Sequence, residues 1–155
     1  MRLRALGVAS ILLVVPIVMP SPAHADPVGG LSGWSNNHGL PYQISAGDLV
    51  GFWQSILYVD GFLNLCGGAG IDGYYGGNTS NATYSWQLNE GIGADGTVGP
   101  QTWGQANRWT FGTSTYFGIN QQLPLSSGGA GLWFLNPVNG VWQTTDHYAI
   151  SFAPC

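Results

Sequence analysis

The stretch IDGYYGGNT (residues 71–79) recurs as ADGTVGPQT (residues 94–102). The two copies share an aspartate, two glycines and a threonine at matching positions, namely Asp72, Gly73, Gly76 and Thr79, and Asp95, Gly96, Gly99 and Thr102. An aspartate side chain accepts amide hydrogens two residues further on, and the glycine that follows tolerates a positive φ. Pro100 suits the first position of a helix, where a missing amide hydrogen costs nothing. Each copy is therefore predicted to be a turn that starts a helix.

Three helices are predicted around these turns. Between residues 47 and 62 the apolar side chains fall close to one helical face, and Gly61 is a plausible stop. The two repeats start the other helices, over residues 78–90 and 100–109. Their inward-facing residues are predicted to be Ala82 and Trp86, and Trp103 and Ala106. The expected result is a small three-helix bundle.

The pattern changes to short β-rich runs after Thr110. The predicted strands cover residues 116–120, 132–135, 141–144 and 148–152. Asn139-Gly140 lies between two of them and is a strong hairpin signal. The fold class is therefore predicted to be α+β, with a short antiparallel C-terminal extension over residues 110–155.

The helical part resembles the bacterial peptidoglycan-binding domain family over residues 46–109. The resemblance rests on VGFWQSIL (residues 50–57), both Asp-Gly turns, both Gly-x-x-Thr helix starts and WQLNEGI (residues 86–92) in one order. The chain departs from the family at Trp53, where leucine is usual, and at Gly77, where proline is frequent. The resemblance implies a ligand groove between helices near the turns and affinity for peptidoglycan, through its glycan or its stem peptide.

Four residues are candidates for ligand contact: Tyr74, Gln54, Gln87 and Trp103. Tyr75 is expected to pack inward and to leave Tyr74 on the surface. The glutamines are open to a second interpretation, in which they satisfy buried backbone groups. Two threonines of the repeat, Thr79 and Thr102, are predicted to cap their helices. The repeated aspartates are interpreted as turn residues and not as an acid/base pair, although paired carboxylates serve that role in glycosidases.

No catalytic or metal-binding constellation is recognised in the sequence. Histidines after the predicted export signal are His38 and His147, with Asp146 beside the latter, and no third ligand has the spacing of a zinc site. A Gly-x-Ser-x-Gly nucleophile elbow is also lacking. The sequence therefore predicts no enzyme activity, no metal and no cofactor.

Residues 1–25 have the features of a secretory signal peptide: Arg2 and Arg4, an apolar run, and Ala23-His24-Ala25 as a cleavage site. Residues 26–45 are predicted to be a flexible leader, held down by Trp34 and Leu40. No membrane span is expected after cleavage, so the protein is predicted to be secreted; the resemblance implies that it is associated with the cell wall.

Charge excludes one class of partner. The chain has 3 basic and 7 acidic residues, lacks lysine, and carries a formal net charge of −4. Only Arg108 among the basic residues follows the predicted signal peptide. Such a surface repels phosphate backbones, so nucleic-acid binding is not expected.

The chain has 2 cysteines, Cys66 and Cys155. An even number in an exported protein indicates a disulfide. The bond would close a loop of roughly 90 residues and contribute about 4 kcal/mol in the chain-entropy model.

These observations favour a monomeric, non-catalytic, wall-binding protein. Two alternatives stay open. One is a peptidoglycan hydrolase whose catalytic tail is not recognised. The other is a protein–protein interaction module with an adhesive aromatic tail, formed by Trp133, Phe134, Trp142 and Tyr148.

Overall fold

The computed structural model of the chain describes residues 39–42, 44–111, 114–128 and 131–145. Three helices come first: α1 (Asp48–Val59), α2 (Gly77–Asn89) and α3 (Pro100–Asn107). An antiparallel five-stranded sheet follows with its strands paired in chain order: β1 (Thr110–Phe111), β2 (Thr115–Phe117), β3 (Gln122–Gly128), β4 (Gly131–Leu135) and β5 (Trp142–Thr144). The α+β class is confirmed. The predicted signal peptide, most of the leader and the predicted strand at 148–152 lie outside the described residues.

Helix α1 is buried on every side. The sequence predicts one apolar face, but every residue from Asp48 to Leu57 is buried. The reason is that α1 packs against α2 and also against β3 and β5. A helix with neighbours on several sides has no solvent face to keep polar.

One tryptophan from each helix meets in the centre of the helical unit. Trp53 of α1 lies edge-on to Trp86 of α2, with ring centroids 5.2 Å apart, and edge-on to Trp103 of α3 at 5.3 Å. Edge-to-face pairs of this kind contribute about 0.5–1.5 kcal/mol beyond their buried area. The Trp53 indole N–H also donates to Thr83 Oγ1 at 2.9 Å, so its polar atom is satisfied. The residue that departs from the family pattern therefore joins the three helices.

The sheet shares this core. Phe134 of β4 is fully buried, and its ring centroid lies 5.2 Å from that of Phe52 in α1. Burial removes Phe134 from the predicted adhesive surface, because its ring already covers the helical unit. Trp133 is half-buried, Trp142 is 44% exposed, and Tyr148 lies outside the described residues.

Strand β3 is absent from the sequence prediction. Its sequence, QLPLSSG, contains Pro124, which cannot donate to a sheet ladder. β3 pairs with β2 through residues 122–124 and with β4 through residues 125–128. Pro124 thus lies where the strand has a partner on one side, and the missing amide hydrogen is tolerated there.

The predicted strand at residues 116–120 is wrong at its C-terminal end. β2 stops at Phe117, and residues 118–121 form a turn in which the Gly118 N–H donates to the Gln121 carbonyl at 3.1 Å. The Asn120 N–H donates to the Val59 carbonyl at 2.9 Å. This turn leaves the sheet to bond to the end of α1.

The Asp60 side chain fixes the same junction. Its Oδ2 accepts hydrogen bonds from Trp86 Nε1 and from the Tyr116 hydroxyl, both at 2.6 Å. Its Oδ1 accepts from the Ile119 N–H at 2.9 Å. One buried carboxylate therefore joins α1, α2 and the start of the sheet.

Two further predictions bear on how the ends of the chain are held. Leu40 is buried and exchanges backbone hydrogen bonds with Val98 at 3.0 and 2.8 Å, as expected for a leader held down there; Trp34 lies outside the described residues. Cys66 is disulfide-bonded. Its predicted partner, Cys155, is outside the described residues, so that pairing stays a prediction.

No helix in the described ranges is both long enough and apolar enough to cross a membrane.

Candidate functional site

The first Asp-Gly turn is organised by a glutamine from a different element. Asp72 Oδ1 accepts the Tyr74 N–H at 2.8 Å, which closes the predicted Asx turn, and Gly73 has a φ of +75°. Gln54 of α1 reaches into this turn. Its Oε1 accepts the N–H groups of Asp72 and Gly73 at 3.1 and 2.8 Å. Its Nε2 lies 2.8 Å from Asp72 Oδ1 and 2.9 Å from Thr79 Oγ1.

The second turn repeats this arrangement bond for bond. Asp95 Oδ1 accepts the Thr97 N–H at 2.8 Å, and Gly96 has a φ of +70°. Gln87 Oε1 accepts the N–H groups of Asp95 and Gly96 at 3.0 and 2.9 Å. Gln87 Nε2 lies 3.2 Å from Asp95 Oδ1 and 2.9 Å from Thr102 Oγ1. The repeat seen in the sequence is therefore a repeat of a four-residue polar cluster.

The threonines of the repeat do not cap their helices as predicted. α2 and α3 have Gly76 and Gly99 at their N-caps, and neither cap has a side-chain hydrogen bond. Thr79 and Thr102 lie inside the first helical turn. Their hydroxyls point back to the glutamine amides and to the carbonyls of Tyr74 and Thr97. They link each helix start to its own Asp-Gly turn.

Tyr75 connects the two turns. Its hydroxyl lies 2.8 Å from Thr83 Oγ1 and 2.9 Å from the Gly96 carbonyl. Burial raises the pKa of Tyr75, so the hydroxyl stays protonated and remains a donor. Its neighbour Tyr74 is 57% exposed. The predicted inward and outward tyrosines are confirmed.

Asp95 is held as an anion in its turn. Burial raises the pKa of this carboxyl, but hydrogen bonds from Thr97 and Gln87 lower it by more, so the net pKa lies below the usual value. A carboxylate that is fixed in this way is suited to accept hydrogen bonds and not to deliver a proton. The interpretation of the repeated aspartates as turn residues fits this geometry.

A neutral groove runs between the 61–70 loop and α2. Its volume is about 280 Å³. Three asparagine side chains and one serine hydroxyl supply its polar lining, and Asn78 Nδ2 donates to the Gly68 carbonyl across it. The lining residues carry no charge: Gly61, Phe62, Leu63, Asn64, Ala69, Asn78, Asn81, Ala82 and Ser85.

Residues 46–105 match the family model for the peptidoglycan binding domain. The helical segment belongs to that family. Both polar clusters and the whole of the neutral groove lie inside the matched segment of this peptidoglycan-binding domain, whereas the sheet lies beyond it.

One curated relative matches a shorter stretch. Over 33 residues the chain is 61% identical to the "Probable N-acetylmuramoyl-L-alanine amidase" of Bacillus licheniformis. The match includes 21% of this chain and 9% of the relative. The chain therefore spans about a tenth of the length of the relative that it matches. No solved structure matches the chain significantly.

The structure separates the four predicted ligand-contact residues of the peptidoglycan-binding domain. Tyr74 is on the surface, whereas Gln54, Gln87 and Trp103 are buried. Both glutamine amides are fully engaged with the turns, which is the alternative interpretation of these residues. Trp103 packs in the aromatic core. In this conformation Gln54 and Gln87 hold the two turns, and Trp103 fills the core. None of the three side chains is placed to contact a ligand.

The groove is missed by the sequence analysis, although a signal for it exists. Asn78, Asn81 and Ser85 recur at helical spacing on one face of α2. A stripe of amides and hydroxyls has no apolar period, so it resembles an ordinary solvated helix face.

In the described part of the chain, no three His, Cys, Asp or Glu side chains are grouped so that they could hold a metal ion.

Proposed function

We propose that the protein is a secreted, non-catalytic and monomeric protein that binds the peptidoglycan of the cell wall. In this proposal residues 1–25 are the signal peptide and residues 26–45 the leader. Residues 46–109 form the binding domain as a three-helix bundle, and residues 110–155 are the β extension. The family match over residues 46–105 carries the proposal. The aromatic contacts of Trp53 with Trp86 and Trp103 support a single compact bundle.

The groove chemistry fits an uncharged glycan. Amide and hydroxyl groups both donate and accept hydrogen bonds, as sugar hydroxyls and acetamido groups also do. The groove lacks a charged lining residue that would need compensation by the ligand. Binding sites of this kind combine apolar walls with a few placed polar groups, and Phe62 beside Asn64 and Asn81 supplies that combination.

Tyr74 is the proposed aromatic contact outside the groove. Its N–H is held by Asp72 Oδ1, and its carbonyl lies 3.1 Å from Gln54 Nε2. The backbone that carries the ring is therefore fixed before a ligand arrives, which lowers the entropic cost of binding. Gln54 and Gln87 act in this proposal as positioning residues for the two turns.

A wall-binding assay tests the proposal. The purified protein is mixed with insoluble peptidoglycan and centrifuged, and the bound fraction is measured over a range of wall concentrations. We expect the protein in the pellet, and we expect Tyr74→Ala to weaken binding about five- to tenfold, as for an exposed aromatic anchor. Asn81→Ala should weaken binding less, because it removes one amide from a groove with several.

Tyr84→Ala is the matched control, since Tyr84 is a 46% exposed tyrosine outside the groove lining. It should bind like the unmodified protein. A protein that stays in the supernatant at every wall concentration would contradict the proposed function.

A wall hydrolase is the second candidate, favoured by the identity to a relative whose printed name is an amidase. A hydrolase should clear a turbid wall suspension, and His147→Ala should stop the clearing. Turbidity that stays constant across a range of pH and added zinc would reject this candidate and leave the binding proposal intact.

A further inference from the structure

A second cavity lies where the helical unit meets the sheet. Its volume is about 190 Å³, and its walls come from both parts of the chain: Asp60, Glu90, Trp109, Phe117, Gly118 and Ile119. The family match ends at residue 105, so Trp109 and the residues from Phe117 onward lie beyond it. The β extension therefore creates this cavity.

Two carboxylates in the cavity wall have only neutral hydrogen-bond partners among the described residues. Asp60 accepts from Trp86, Tyr116 and the Ile119 N–H. Glu90 accepts from Gln105 Nε2 and Trp109 Nε1, both at 2.8 Å. Burial, and to a smaller extent the charge of Glu90, raises the pKa of Asp60. The two groups thus repel each other across a partly desolvated space, and a cation between them would relieve that repulsion.

Glu90 has hydrogen-bonding capacity left for a ligand. A carboxylate offers about four acceptor positions. Glu90 Oε2 accepts two strong bonds, whereas the one bond to Oε1, from Asn89 Nδ2, is long at 3.4 Å. Oε1 therefore keeps acceptor capacity for a further donor.

The other walls are aromatic or aliphatic and reach the solvent. Trp109 and Phe117 are each 44% exposed, and Ile119 is 62% exposed. The indole N–H of Trp109 is bound to Glu90, so the ring is anchored beside the carboxylate. Aromatic rings next to an anion form the usual environment for an organic cation, which is attracted by the ring faces as well as by the charge.

We propose that this cavity binds a primary ammonium group on an aliphatic stem, with Glu90 accepting its hydrogens and Trp109 and Phe117 enclosing its carbons. The source of the ammonium rests on the proposed function: it is the free side-chain amine of a peptidoglycan stem peptide. The neutral groove then contacts glycan, and the β extension adds a peptide contact to the same wall.

A neutral sugar is a poorer fit to this cavity. Sugar hydroxyls need donors as well as acceptors from their site, whereas the polar side chains of this lining are two carboxyl groups and the Trp109 indole, whose N–H is already bound to Glu90. A sugar would also bring no positive charge to these two acidic groups.

Chemical blocking of wall amines tests the proposal. One portion of peptidoglycan is treated with acetic anhydride, which converts each free amine into a neutral amide, and the other portion is left untreated. We expect the unmodified protein to bind the acetylated wall about three- to tenfold more weakly. Glu90→Gln and Trp109→Ala should bind both walls equally, at the level that the unmodified protein shows on the acetylated wall. Trp142→Ala, which removes an equally exposed tryptophan from β5, should keep the full difference.

A soluble probe removes the dependence on wall binding. The indole N–H resonance of Trp109, assigned with Trp109→Phe, is followed by NMR during titration with Nα-acetyl-lysine methylamide. It should shift with this probe, stay in place with the Nε-acetylated analogue, and stay in place with either probe in Glu90→Gln.

The outcomes separate the two proposals. Equal binding to both walls, or a Trp109 resonance that does not respond to the amine, overturns the ammonium site. A response to N-acetylglucosamine oligomers in place of the amine overturns it in favour of a sugar. Failure to bind any wall rejects the proposed function, while the lysine titration still decides whether the cavity takes an amine.

Discussion

The two buried glutamines explain how the two tight Asp-Gly turns are held in place. Each amide satisfies two backbone N–H groups with its oxygen and faces three acceptors with its nitrogen. Buried amide hydrogens without a partner are costly, so these side chains stabilise the turns more than a surface hydrogen bond would. The sequence indicates the turns through their Asp-Gly pairs, but it leaves the glutamines ambiguous because Gln54 bonds to a turn far along the chain.

Gln87→Leu should destabilise the domain by about 2–4 kcal/mol, because it leaves the N–H groups of Asp95 and Gly96 without their acceptor. Gln54→Leu should have a similar effect through Asp72 and Gly73. Urea denaturation followed by circular dichroism measures both losses. Gln101→Leu, at an exposed position of α3, should unfold near the midpoint of the unmodified protein. Equal midpoints for Gln87→Leu and Gln101→Leu would contradict the assigned role.

Asp60 and Asp95 should give opposite pH dependences of stability. The pKa of Asp60 is raised by burial in the folded state, so its stabilisation is complete below its ordinary pKa and is lost as pH rises through the folded value. The pKa of Asp95 is lowered on balance, because its hydrogen bonds outweigh burial, so its stabilisation is present above its ordinary pKa and is lost as pH falls. The loss of unfolding free energy in Asp60→Asn should therefore shrink from acidic to neutral pH, whereas the loss in Asp95→Asn should grow. Urea denaturation of the unmodified protein and both variants across this range measures the two trends; parallel trends would refute the assignment.

At the scale of elements, the decisive contact is between the end of α1 and the turn after β2. Both the Asn120 and the Gln121 N–H groups donate to the Val59 carbonyl, at 2.9 and 3.3 Å. Gly118 makes this approach possible. A Cβ atom at that position would lie 2.7 Å from the Gln121 carbonyl oxygen and 2.8 Å from the Val59 carbonyl oxygen.

Gly118→Ala should therefore destabilise the protein by about 1–3 kcal/mol, because backbone carbonyls cannot rotate away as a flexible side chain can. Gly104→Ala is the matched glycine-to-alanine substitution, and it is expected to stabilise the protein. It lies inside α3 with nothing within 4 Å of its added carbon, and alanine is the better helix former by about 1 kcal/mol. In thermal unfolding, Gly118→Ala should have a lower Tm than the unmodified protein, and Gly104→Ala should have a higher one. A neutral Gly118→Ala would show that the junction relaxes easily.

The elements were predictable to different degrees, for physical reasons. The starts of α2 and α3 follow from local turn chemistry, and the structure places them within a residue of the predicted positions. β4 and β5 follow from short apolar runs around Asn139-Gly140, where Gly140 has a φ of +68°. β3 could not be found in this way, because its proline and serines carry no strand signal and its pairing depends on both neighbours. The amide-rich groove was hidden for a similar reason, since only the packing of the 61–70 loop makes that helix face concave.

At the scale of the whole molecule, the family segment and its extension share one interior. The buried apolar residues form one cluster that includes Trp53 of α1, Trp103 of α3 and Phe134 of β4. The Asp60 carboxylate adds hydrogen bonds across the same boundary. The extension therefore covers apolar surface of the helices, and the family segment is not expected to be fully stable without it.

Phe134→Ala tests this coupling. Removal of a buried phenylalanine costs about 3–5 kcal/mol, and here the lost contact includes Phe52, which belongs to the helical unit. In native-state hydrogen exchange of Phe134→Ala, we expect the most protected amides of α1 and β4 to lose the same free energy of opening. Its unfolding should also give a single transition that is the same by circular dichroism and by tryptophan fluorescence. Trp142→Ala, on the exposed side of β5, should leave the α1 amides unchanged. If Phe134→Ala lowers protection in the sheet while the α1 amides keep theirs, the two parts fold independently and the shared core does not couple them.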